Sequence, residues 1–147
     1  MKTKAFNMIG ACLMVLLLVM QFVPFWQYGE PVKSVSIQGY VWFPTDYKDL
    51  DKELQEQTND SQFGVSNIVL MPVLELLLCC AGAVFCFVKS DQTLALLFPI
   101  AAGAMGIYGY LKPAFKLGSL WPMHIMLCVL LLAIGITGFI MTLHAKK

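Results

Sequence analysis

The chain has 147 residues, of which 59% are hydrophobic and only 13% are charged, and its formal net charge is +1. This composition excludes an ordinary soluble domain, because a protein of this size could not bury so much apolar surface. All ten basic residues are Lys, and they form no basic face. We therefore expect the lipid bilayer, and no nucleic acid, as a partner.

Four apolar segments are each long enough to cross a bilayer, because a spanning helix needs about 20 mostly apolar residues. They cover residues 6–25, 68–88, 93–111 and 120–143. We therefore predict an all-α integral membrane protein in which four transmembrane helices form a single bundle, with residues 1–147 as one domain.

The first segment follows Lys2 and Lys4, as the apolar part of a signal peptide would. It is longer than is usual for a signal peptide, and it ends on an aromatic cluster typical of a membrane interface. We expect it to be retained as a membrane anchor.

The positions of the Lys residues predict how the protein is oriented. Four spans place both termini on one side of the membrane. The Lys residues that flank spans on that side are Lys2, Lys4, Lys89, Lys146 and Lys147, and those on the other side are Lys33, Lys112 and Lys116. Because cytoplasmic flanks carry the excess of positive charge, we predict a multi-pass cell-membrane protein with cytoplasmic N- and C-termini.

The loop between the first two spans, residues 26–67, is too long for a simple connection. Alternating, β-branched and aromatic residues over 35–43 predict a strand. After it, Thr45 or Asp46 can cap a short amphipathic helix, whose acidic residues would face solvent. We therefore expect a small extracellular cap made of a strand and a helix.

Two functions are open for this cap. It could bind a protein partner through its acidic, aromatic surface, or it could only shield the helix ends. The candidate partner-binding residues are its aromatic side chains and the apolar stripe of its helix: Tyr40, Trp42, Phe43, Tyr47, Leu50 and Leu54.

Glu75 is the one acidic residue inside a predicted span. A charge at this depth costs about 2.5–3.5 kcal/mol on insertion scales, so it needs a partner, a water-filled cavity or a proton. Cys79 and Gly82 follow at helical spacing, which predicts that Glu75 faces the bundle. His124 lies on the small-residue face of the fourth span at the same end. We expect these two to be in contact, with Tyr108 adding a hydroxyl.

This predicted polar site has two interpretations. It could bind a proton or cation and couple protonation to movement. Alternatively, it could be a structural hydrogen bond that fixes helix register, worth about 0.6–2 kcal/mol. Replacing Glu75 with Gln separates the two, because Gln keeps the hydrogen bond and loses the ionisation.

No nucleophile motif, phosphate-binding loop or metal-ligand spacing appears in the sequence, so we expect neither enzymatic activity nor a metal or other cofactor. The five Cys residues all fall in predicted spans, as expected of packing residues. The leading hypothesis is a non-catalytic interaction or accessory subunit that binds a protein partner or a second copy through its first loop. The alternative is a small proton-coupled transporter or permeation unit that uses Glu75 and His124.

Overall fold

A computed structural model describes residues 2–28, 31, 33–42, 48–58, 70–111 and 116–147. The described chain is mostly helical. The elements in chain order are α1 (Lys2–Met20), β1 (Pro24–Tyr28), β2 (Lys33–Ser36), α2 (Ile37–Trp42), α3 (Lys48–Thr58), α4 (Leu70–Val88), a 3₁₀ helix (Thr93–Leu96), α5 (Leu97–Tyr110) and α6 (Trp121–Ala145).

Three helical stretches are long and apolar enough to cross a membrane. They are Lys2–Met20, Thr93–Tyr110 and Trp121–Ala145. The predicted second span contains a shorter apolar helix, Pro72–Val88, within α4. A location in a membrane is therefore compatible with the structure.

The four long helices contact one another in a closed ring, in which α1 packs on α4, α4 on α5, α5 on α6 and α6 on α1. Small residues allow the helices of this ring to pack closely. A Cβ atom added to Gly103 would lie 2.6 Å from the Cys128 carbonyl oxygen, so α5 and α6 touch backbone to backbone there. The Pro99 ring of α5 packs closely on Gly10 of α1, where an added Cβ atom would lie 2.8 Å from the Pro99 Cγ.

Both chain termini lie at the same end of this ring, which we call the terminal end. The Thr3 and Thr142 hydroxyls are 3.1 Å apart and share a hydrogen bond. The Asn7 amide donates hydrogen bonds to the carbonyl oxygens of Ser90, at 2.8 Å, and Gln92, at 3.0 Å. These contacts tie the start of α1 to the α4–α5 turn and to the end of α6.

The first helix ends at Met20 rather than at the predicted Phe25. Its last turn closes with tighter bonds, such as Gln21 N–H to the Leu18 carbonyl, and Pro24 then cannot continue a helix. Residues 24–28 instead form β1, which pairs antiparallel with β2. We call the end of the ring where this pair lies the hairpin end.

The strand predicted over residues 35–43 is wrong beyond Ser36, because Ile37–Trp42 form α2. The Ser36 hydroxyl accepts a hydrogen bond from Gly39 N–H at 3.0 Å, which is the geometry of a helix N-cap. Ile37 and Tyr40 are fully buried. Capping and burial thus outweigh the strand preference of these residues.

The predicted amphipathic helix of the loop is present as Lys48–Thr58, with Leu50 and Leu54 buried. Its predicted cap, Thr45 or Asp46, lies outside the described residues, as do Phe43 and Tyr47.

Candidate functional site

Glu75 lies in the second turn of α4, at the hairpin end, with a fully buried side chain. Its carboxyl group rests against Gly106 of α5, where an added Cβ would lie 2.9 and 3.1 Å from its two oxygens. The same added Cβ would also overlap the Cys128 sulfur of α6. Glu75 therefore faces the centre of the ring, as the small residues of its helix predict.

Neither oxygen of this carboxyl group has a hydrogen-bond partner among the described residues. A buried polar group without a partner is costly, and a buried charge without one is costlier still. Glu75 therefore forms no structural hydrogen bond with another described residue.

His124 is also fully buried, in the first turn of α6. Its Nδ1 lies 2.9 Å from the Leu120 carbonyl oxygen. A carbonyl can only accept, so Nδ1 carries the hydrogen, and in a neutral ring Nε2 is then an acceptor. The Met20 backbone also lies beside the ring, and Nε2 has no partner of good hydrogen-bond geometry among the described residues. The expected direct hydrogen bond between Glu75 and His124 is therefore not formed.

Tyr108 does not join this site, because it lies on the outer face of α5 with 73% of its surface exposed. Tyr110 takes the expected position instead. It is buried, its ring centroid lies 4.7 Å from that of His124, and Glu75 acts on its hydroxyl electrostatically. Two positions along a helix differ by about 200° in direction, so Tyr108 and Tyr110 must face opposite ways.

A line of polar side chains runs from Tyr110 to the protein surface. The Tyr110 hydroxyl lies beside the Gln21 side chain. Gln38 Nε2 donates to Gln21 Oε1 at 2.6 Å, and Trp42 Nε1 donates to Gln38 Oε1 at 3.0 Å. Gln21 and Gln38 are buried, whereas Trp42 is 65% exposed. Neither Gln belongs to the polar site predicted from the sequence.

Most described members of the predicted partner-binding surface are turned inward. Tyr40 packs edge-to-face on Trp26, with ring centroids 5.5 Å apart. Trp26 packs on Phe25 at 4.8 Å, and Phe25 on His124 at 5.2 Å. With Leu50 and Leu54 also buried, Trp42 is the only exposed member among those the structure describes.

The side chains of Phe25, Trp26 and Tyr40 form one wall of the polar site at the hairpin end. The Ser119 backbone N–H donates to the Phe25 carbonyl oxygen at 2.7 Å, and so ties the α5–α6 connection to β1. Phe25, the last residue of the predicted first span, thus packs on His124, and Trp26 and Tyr40 of the predicted loop pack behind it.

In the part of the chain that the structure describes, no group of three or more His, Cys, Asp or Glu residues could hold a metal ion. The arrangement consists of two buried ionisable residues, Glu75 and His124, each beside Tyr110, with amide side chains leading outward. No protein-family model, curated protein or solved structure matches the chain.

Proposed function

We propose that this protein is a small proton-coupled permeation unit of the cell membrane, in which Glu75 takes up and releases the proton. Four helices, α1, α4, α5 and α6, cross the bilayer in this proposal. The 19 residues of α4 extend about 28 Å at 1.5 Å per residue, which is close to the thickness of the hydrocarbon core.

The proposed orientation places the terminal end in the cytoplasm and the hairpin end outside. Five of the Lys residues that flank helices lie at the terminal end: Lys2, Lys4, Lys89, Lys146 and Lys147. The positive-inside rule favours this end as the cytoplasmic one.

The observation that carries the proposed function is the full burial of Glu75 with both carboxyl oxygens unpartnered among the described residues. Ionisable residues within membrane helices are expensive, and they commonly mark ion or proton pathways. A proton neutralises the carboxyl group. The acceptor Nε2 of His124, in the same half of the ring, is a second group that can hold a proton.

Proton flux into liposomes tests this function. We expect purified wild-type protein in liposomes to carry protons down an imposed pH gradient, and we expect Glu75→Gln to reduce this flux to that of empty liposomes. Glu56→Gln is the matched control, because Glu56 is an exposed residue of α3. Full flux through the Glu75→Gln variant would contradict the proposal.

A second candidate function is that of an accessory subunit, and the exposure of Trp42 favours it. The indole ring is 65% exposed while its N–H is held by Gln38, so it presents a fixed apolar surface. Exposed Trp side chains are frequent anchors at protein interfaces. Lys48, Asp49, Lys52 and Glu56 add an exposed charged face on α3.

Gentle extraction from the native membrane, followed by mass analysis of the intact particle, tests the accessory-subunit function. It predicts that the wild type is recovered with a stoichiometric partner that Trp42→Ala loses and Glu75→Gln keeps. Recovery of the wild type without another protein would contradict it.

A further inference from the structure

Four buried polar atoms without a hydrogen-bond partner among the described residues lie around Tyr110. They are Gln21 Nε2, His124 Nε2 and the two oxygens of Glu75. Tyr110 relates them, because it lies beside Gln21, packs on the His124 ring and interacts electrostatically with Glu75. Two helices, α4 and α6, and the residue that follows α1 thus bring unsatisfied groups to the region of Tyr110.

The chemistry of these groups matches water. Gln21 Nε2 is a donor, whereas His124 Nε2 and the Glu75 oxygens accept. Water both donates and accepts, and a buried water typically makes about three hydrogen bonds to groups of this kind. A purely apolar or purely cationic ligand would leave the Gln21 amide hydrogens unsatisfied.

The polar groups continue from this region toward the surface in one direction. Beyond Gln21 come Gln38, bonded at 2.6 Å, and then the exposed Trp42, bonded at 3.0 Å. Toward the terminal end, the described buried residues that follow Glu75 on α4 are Cys79, Gly82, Ala83 and Cys86. None of these offers a comparable hydrogen-bonding side chain.

We propose that Glu75 exchanges its proton with the hairpin side of the protein through buried waters held by Gln21, Tyr110 and His124, and that the Gln21–Gln38 hydrogen bond closes this route to bulk water. The inference rests on the proposed function. It adds the ligand, which is water, the side from which the proton arrives, and the contact that controls its entry.

The transfer is a simple relay. A proton enters the outermost water, each O–H bond passes its hydrogen to the next oxygen, and the last water donates to a Glu75 oxygen. Gln21 and Gln38 keep their protons throughout and only position the waters. The titratable groups that interact with Glu75 are Cys79 on α4, Tyr110 on α5 and Cys128 on α6, and His124 on α6 packs on Tyr110. From the end of α1, Gln21 contributes only a neutral amide.

The rate at which Glu75 is protonated after a rapid pH jump tests the route. The infrared C=O stretch of the protonated carboxyl group reports it, in protein held in lipid nanodiscs that leave both ends open to solvent. Gln38→Leu should slow the signal about tenfold, because an apolar side chain of similar size fills the entrance and forms no hydrogen bond with the entering water, which raises the barrier by about 1.4 kcal/mol. Gln38→Ala should speed it, because it removes the closing contact without filling the space.

Gln27→Leu is the matched control, since Gln27 is an exposed residue of β1, and it should show the wild-type rate. All variants are first compared in thermal unfolding, so that a misfolded one is recognised. If Gln38→Leu fails to fold, Gln21→Leu, which removes the other partner of the contact, replaces it. Wild-type rates in both position-38 variants, or equal changes in the same direction, would overturn the proposed route. A carboxyl signal that persists in Glu75→Gln would instead contradict the proposed function.

Discussion

Gly106→Val is expected to destroy the Glu75 site and to lower the free energy of unfolding by about 3 kcal/mol. The first added carbon would already lie 2.9 Å from one Glu75 oxygen, and it would overlap the Cys128 sulfur. The Glu75 carboxyl group and the Cys128 sulfur, on α4 and α6, would both have to move to admit the new side chain on α5. Either the helices separate or the carboxyl group is displaced.

Denaturant unfolding in detergent micelles, followed by circular dichroism, measures the effect of Gly106→Val. Ala104→Val is the matched control, because Ala104 lies on the exposed face of the same helix and the substitution introduces the same β-branched side chain. The account is contradicted if the two variants unfold alike.

Glu75→Met is expected to stabilise the protein by about 1–3 kcal/mol while abolishing proton flux. The substitution replaces a buried carboxyl group with an apolar side chain of similar length, so a desolvation cost disappears and no hydrogen bond to another described residue is lost. Functional sites often carry such a cost in stability.

The sign of this change separates the two interpretations of Glu75. A structural hydrogen bond would make Glu75→Met less stable, by about 0.6–2 kcal/mol. Leu76→Met, at the partly exposed neighbouring position, controls for the introduction of Met. The same micelle unfolding experiment gives both values.

The sequence predicts which faces of the long helices are buried. The spacing of Cys79 and Gly82 after Glu75 predicts an inward carboxyl group, and the small residues after His124 predict an inward imidazole. Both are buried in the structure. Periodicity is informative here because small residues in membrane helices mark the faces that pack together.

The same spacing of small residues distinguishes Tyr110 from Tyr108. Ala102 and Gly106 form the small-residue face of α5, and four more residues lead to Tyr110 rather than to Tyr108. Both rings lie near the end of the predicted span, so that position does not separate them, whereas the helical phase decides which ring points inward.

The conformation of the chain at the hairpin end was less predictable, because it depends on contacts between residues that are distant in the sequence. Ile37–Trp42 contains residues that favour strands, yet the segment is helical where Ser36 caps it and where Gln38 meets Gln21. Local preference carries no information about a partner 17 positions away. For the same reason, the burial of Tyr40 against Trp26 was not foreseen.

An infrared pH titration of the wild-type protein beside Glu75→Gln tests the central claim most directly. We predict a carboxyl C=O band that appears and disappears reversibly with pH in the wild type, is absent from Glu75→Gln, and is unchanged in Glu56→Gln. A wild-type spectrum whose pH-dependent carboxyl bands all persist in Glu75→Gln would show that Glu75 does not exchange a proton, and would contradict the account.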